Sequence, residues 1–300
     1  MKISRGLRFR NSDKQYSGQT AACLFERMRE PIENKLELSD KEFAEAEERS
    51  ALSAVVVHEA VRLEGEQELQ RSSAALFWSG LAAGLSMGFS LVTEGLLRSK
   101  LPDVPWRPII SKLGYSVGFV LVVLGRQQLF TENTLTPILP LMLHRSRAML
   151  RNVLRLWGVV LVANLVGAVA IAWVLGNTGV FRPEVRRAFG EIGRESLNVS
   201  FGLAALRGIF AGWLIAFMVW LLPFSEAFRV VVIVGVTWLV GLAQLTHVIA
   251  GSVEVLYLAA TGAAPIPRVV FGYITPTLIG NIVGGVSLVA ALNHAQVVSK

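Results

Sequence analysis

From residue 73 onward the chain is written in long apolar blocks separated by short polar ones. Six blocks hold enough apolar residues to cross about 30 Å of hydrocarbon. They fall near residues 74–97, 109–143, 153–175, 201–223, 229–261 and 269–292. The second and fifth are too long for one straight crossing, and polar residues interrupt both. Residues 125–134 bring Arg126, Gln127, Gln128, Glu132 and Asn133 into the second block, and residues 246–252 bring His247 into the fifth. Lipid solvates neither such groups nor broken backbone, so each interruption must face protein or a water-filled cavity. The pattern predicts an all-α membrane protein of six transmembrane helices with spans two and five broken.

The two halves repeat. Ser-Gly-Leu-Ala-Ala-Gly at 79–84 matches Arg-Gly-Ile-Phe-Ala-Gly at 207–212, and Asn-Leu-Val-Gly-Ala at 164–168 matches Asn-Ile-Val-Gly-Gly at 281–285. The broken spans fall between these matches in the same order. Three spans per half, with both termini on one side, make the repeats inverted. That arrangement puts a site at the midplane, between two broken helices.

Charge fixes the expected orientation. The link between spans two and three carries His144, Arg145, Arg147, Arg151 and Arg155 and no acid, so it and both termini are expected in the cytoplasm. Ahead of the first span, residues 1–29 hold seven basic and two acidic residues and are expected to be disordered. Residues 30–73 hold an acidic cytoplasmic helical segment. Ser39 and Glu42 suit a capping box, and Leu52, Val55, Val56, Glu59, Ala60 and Leu63 suit a packed face. That helix packs under the membrane part, with a plug or partner-binding role as the alternative. Residues 74–293 are the transport domain, and 294–300 a short tail. The first 50 residues show no apolar h-region, so no cleaved signal peptide is expected and the amino terminus is expected in the cytoplasm; the expected location is a bacterial inner membrane. The net charge of +7 follows from span-end and loop cations, so membrane topology explains it without nucleic acid. The single cysteine, Cys23, excludes an intramolecular disulfide framework.

Candidate chemistry gathers at the breaks. The Thr131 hydroxyl and freed backbone amides can donate to an anion or a carboxylic acid, with Asn133 beside them. His247 is the only histidine in a span interior, where a near-neutral side chain can share or relay a proton. Leu129 and Phe130 suit apolar constrictions. Asn164 and Asn281 suit ties between broken backbone and neighbouring helices. Arg126, Arg207, Glu132 and Glu254 need partners, for instance Arg207 with Glu132 or Glu254. The spans hold no metal-ligand cluster and no nucleophile–base pair, so neither an enzyme, a metal nor a cofactor is expected.

Leu129-Phe130-Thr131 with Asn133-Thr134, the lone His247, and Gly280-Asn281-Ile282-Val283-Gly284-Gly285 together resemble the formate/nitrite transporter family over roughly residues 74–293. The resemblance implies an aquaporin-like protomer, a homopentamer with one pore per protomer, and passage of small monovalent anions with protons. It implies that Thr131 and His247 face each other between apolar constrictions and that an anion crosses as its neutral acid. Glu132 stands where formate channels often carry a small residue, and Gly212 where they often carry an asparagine. No lysine opens span four, and Glu254 adds a further acid. The alternatives are a neutral-solute or water facilitator, or a membrane scaffold or sensor acting through residues 30–70.

Overall fold

The computed structural model describes residues 54–298, and within them every regular element is helical. The basic stretch 1–29 and the Ser39/Glu42 capping box lie outside the described residues. Helix α1 (Ala54–Gln70) precedes α2 (Ser73–Lys100). Next come α3 (Arg107–Leu124) and the short α4 (Ile138–His144), then α5 (Arg147–Asn177). The second half runs through α6 (Pro183–Leu197), α7 (Phe201–Leu221), α8 (Arg229–Leu242) and α9 (Ala250–Ala260). It ends with α10 (Ile266–Ser287) and α11 (Leu292–Val298). Among the described residues five helices, α2, α3, α5, α7 and α10, are long and apolar enough to cross a membrane; α8 and α9 are shorter apolar helices.

Both expected breaks exist. Between α3 and α4 the chain leaves the helix at Gly125, and between α8 and α9 it leaves at Ala243. Each exit uses a residue in the left-handed region, Arg126 at φ 48° and Gln244 at φ 53°. Neither is glycine, so the surrounding structure must hold each conformation against its intrinsic cost. The hydrogen bonds correspond too: Gln127 N–H donates to Val122 O, and Leu245 N–H donates to Val240 O.

The helix pairs beside the breaks pack through glycine. The main partner of α2 is α5, and that of α7 is α10. A side chain at Gly84 would run into the Asn164 backbone carbonyl, and one at Gly212 into the Asn281 carbonyl. Serine caps open both α2 and α7: Ser72 Oγ accepts from Ala75 N–H, and Ser200 Oγ from Leu203 N–H. The sequence repeat is therefore a repeat of contacts.

Helix α1 docks differently from its expected face. Val57, Val61, Gly65 and Leu69 are buried at intervals of one turn, whereas Val55, Val56 and Leu63 are exposed. Gly65 sets this register, because its missing side chain admits the backbone carbonyl of Thr136. Arg155 donates to the terminal carbonyls Leu69 O (2.8 Å) and Arg71 O (3.0 Å), closing the C-terminal end of α1 against α5. Residues 294–298, expected as part of a short tail, belong to helix α11, which packs against α1.

Gly84→Ala should separate α2 from α5 and lower the thermal midpoint of the detergent-solubilised protein, at a cost of about 1–3 kcal/mol for an overpacked seam. Gly158→Ala, at a position open to a side chain, should leave that midpoint near the wild-type value.

Candidate functional site

Two asparagines hold the two breaks. Asn164 Oδ1 accepts from Phe130 N–H (2.9 Å), while its Nδ2 donates to Gly80 O (2.8 Å) and Gln128 O (2.9 Å). Asn281 Oδ1 accepts from Val248 N–H (2.8 Å), while its Nδ2 donates to Gly208 O (2.8 Å) and Thr246 O (3.0 Å). Each amide thus satisfies one N–H and two C=O groups, in a fully buried setting where none could be left unpaired cheaply. The expected tie to neighbouring helices is present in both halves.

Between the clamps, the Oγ1 of Thr131 lies 2.8 Å from His247 Nε2, and both residues are fully buried. The other ring nitrogen settles the tautomer. Nδ1 accepts from Ile249 N–H (3.3 Å) and Ala250 N–H (3.2 Å) at the start of α9, so the neutral ring carries its proton on Nε2. Nε2–H therefore donates to Thr131, and the hydroxyl keeps its own hydrogen for another acceptor. Thr134 Oγ1 donates to the Thr131 carbonyl (2.7 Å) and steadies the loop.

Apolar side chains surround this pair. Leu129 and Phe130 are buried, and Phe130 packs edge-on to Trp157 at 5.8 Å. Phe119, which sequence reasoning missed, stacks edge-on to His247 at 4.9 Å. Its sequence signal was weak, since Tyr115 and Phe130 are further aromatic rings in the same apolar block.

A cavity of about 430 Å³ opens beside the first break, lined by Glu68, Gln128, Glu132 and Thr136 among others. Arg126 projects into its mouth, highly exposed and 4.0 Å from Glu64, and so escapes the hydrocarbon expected around it. Asn133 Nδ2 donates to Gln128 Oε1 (2.9 Å), and Gln128 Nε2 donates to Glu68 Oε1 (3.0 Å). The Thr136 hydroxyl donates to Glu68 Oε2. Burial pushes the Glu68 carboxyl up to about 7, against these two hydrogen bonds, which favour its charged form. The Oε1 of Glu132 is buried without a hydrogen-bond partner.

A second, smaller cavity of about 40 Å³ lies beside the other break, lined by Lys112, Ser196, Arg207, Thr246 and Glu254 among others. The expected pairing of Arg207 with Glu132 or Glu254 is not made. Glu132 lines the first cavity and Arg207 the second, while Glu254 accepts a hydrogen bond from the Ser196 hydroxyl. Lys112 pairs with the fully buried Glu94. Among the described residues no cluster of metal-ligating side chains is present.

Comparison with known proteins gives one consistent picture. A family model described as formate/nitrite transporter matches residues 55–295. The inner membrane protein YfdC of Escherichia coli (strain K12) is 42% identical over 251 residues, spanning 84% of this chain and 81% of that protein. The formate channel BtFdhC of Bacillus thuringiensis is 28% identical over 241 residues, spanning 75% and 88%. A solved pentameric formate channel with formate bound shares the fold, with a TM-score of 0.63 at 19% identity over 76% of this chain and 98% of that one.

Asn281→Leu removes all three clamp bonds of the second break. The stranded Val248 N–H alone is worth about 1–3 kcal/mol, so the thermal midpoint in detergent should fall clearly, and Asn164→Leu should lower it by a similar amount.

Proposed function

The chain belongs to the formate/nitrite transporter family, whose members are channels and transporters rather than enzymes, and from that membership we propose that it passes formate, nitrite or similar weak-acid anions together with protons. It is an integral membrane protein. In the proposed topology α2, α3 with α4, and α5 form one three-span repeat, and α7, α8 with α9, and α10 form its inverted copy. The basic loop around Arg145 and Arg147 supports a cytoplasmic location for both termini. The named pentameric channel supports a homopentamer with one pore in each protomer, bedded in the lipid bilayer.

The observation that carries the reading is the 2.8 Å pair of Thr131 and His247 at the facing breaks. The Thr131 hydroxyl, fixed as acceptor toward Nε2–H, presents its own hydrogen to an oxygen of the passing anion or acid. Leu129, Phe130 and Phe119 narrow the path on either side of that donor. A bare anion in such a constriction loses its water without compensation, whereas a neutral acid loses far less. Passage is therefore electroneutral, the anion travelling with its proton.

His247 enters this mechanism as a hydrogen-bonding group first. Taking a second proton requires Nδ1 to give up the Ile249 and Ala250 donors. This narrows the expected proton relay at the central histidine: the ring orients Thr131, and the proton arrives on the anion.

Proteoliposomes carrying the protein should take up formate or nitrite faster at acidic than at neutral pH. His247→Ala should lower that flux roughly tenfold, the effect of losing about 1.4 kcal/mol of hydrogen bonding. His247→Gln, whose amide can donate toward Thr131, should retain more. Absence of flux for every small monovalent anion, with osmotic swelling in neutral solutes instead, would replace this reading by a neutral-solute facilitator.

A further inference from the structure

The two cavities are built from corresponding positions of the two halves. Val123 and Gly241, Arg126 and Gln244, and Gln128 and Thr246 stand at the spacing that relates Phe130 to Val248, one of each pair lining either cavity. The same spacing relates Thr136 to Glu254. The spacing between the helix caps Ser72 and Ser200 likewise relates Glu68 to Ser196.

These four residues make two equivalent hydrogen bonds, from the Thr136 hydroxyl to Glu68 Oε2 and from the Ser196 hydroxyl to Glu254 Oε2. Each bond crosses one seam, between the helix that precedes a half's first span and the segment that follows its break. The acid and the hydroxyl have traded places between the halves. The result is one hydroxyl-bonded carboxyl group in the lining of each cavity, Glu68 in the first and Glu254 in the second.

Neither carboxyl closes an ion pair among the described residues. Glu68 faces Gln128 and Thr136, feels Glu64 and Arg71, and shares its cavity with Glu132, Arg126 and Arg229. Glu254 faces Ser196 and lies in the field of Lys112, Glu94, Glu195, Tyr115 and Tyr273, with Arg207 in the same cavity. Lys112 is committed to Glu94. Both cavities, of about 430 and 40 Å³, exceed the space one water needs, about 10–15 Å³. Each cavity can therefore hold water beside its carboxyl group.

We propose that Glu68 and Glu254 are matched proton-transfer stations, each serving the monovalent weak-acid anion that enters from its own side. The inference rests on the proposed weak-acid passage and supplies the proton source that His247 lacks. In its acid form the carboxyl loses its O–H bond, and the proton bonds to an oxygen of the anion, which goes on as the neutral acid. The carboxylate left behind keeps the hydrogen bond from Thr136 or Ser196 until a hydronium ion from the cavity restores the proton. On exit the acid returns its proton to the opposite carboxylate. The acid form of Glu68 is populated in mildly acid solution, since burial holds its carboxyl near 7.

The test measures formate uptake per reconstituted protein in vesicles of both orientations, over a pH series applied to one face at a time. Glu68→Gln should flatten the pH profile on the Glu68 face alone, cutting the acid-to-neutral flux ratio about a hundredfold, the lower end for one general acid. Glu254→Gln should do the same on the opposite face alone. Thr136→Val and Ser196→Ala keep the carboxyl groups and remove their donors, so each should shift the midpoint of its own face to higher pH without flattening it. A wild-type profile on both faces in both glutamine variants overturns the proposal, as does an equal loss on both faces from either one. Absence of flux in the wild-type protein overturns the weak-acid reading itself.

Discussion

Hydrocarbon offers broken backbone no partners, and this one constraint organises the molecule. A helix that stops inside the membrane strands N–H and C=O groups, each costly to bury unpaired. The chain meets the cost twice with the same device, a single asparagine amide binding one N–H and two C=O groups, at Asn164 and Asn281. The glycines follow from it. Gly84 and Gly212 bring the neighbouring helices onto the asparagine backbone, so that Gly80 O and Gly208 O come within reach of the amides. The left-handed residues Arg126 and Gln244 turn the chain into each clamp. With the backbone satisfied, Thr131 and His247 are free to meet side chain to side chain.

That meeting determines what the centre can do. Two backbone donors at the start of α9, Ile249 and Ala250, occupy Nδ1, and the hydroxyl of Thr131 occupies Nε2–H. What remains exposed to a passing solute is one hydroxyl hydrogen in an apolar enclosure. Such a site suits a small acceptor that has already shed its charge. In the proposed mechanism, chemistry that adds or removes a proton belongs to the two cavities, where carboxyl groups line space large enough for water.

Much of this was legible in the residues. Apolar block length located both breaks, and the short matches at 79–84 and 164–168 with their partners located both helix seams. Thr131, His247, Asn164 and Asn281 stood out because polar groups inside apolar blocks need a reason. Glu68 did not, since it sits among many acids in a segment with no apolar contrast, and only Gly65 against Thr136 decides which of them faces inward. The exposed Val55, Val56 and Leu63 misled for the same reason: helical spacing names a face but not the neighbour that covers it. Lys112 was hidden in another way, as its partner Glu94 lies on another helix. Ion pairs between elements leave no local signature, which is why Arg207 was matched with the wrong acids.

The central claim, that the anion crosses together with a proton, is tested most directly by recording membrane current and proton uptake during formate entry into the same vesicles. The account predicts one proton taken up per formate and no current attributable to the protein. A formate current without matching proton uptake would contradict it.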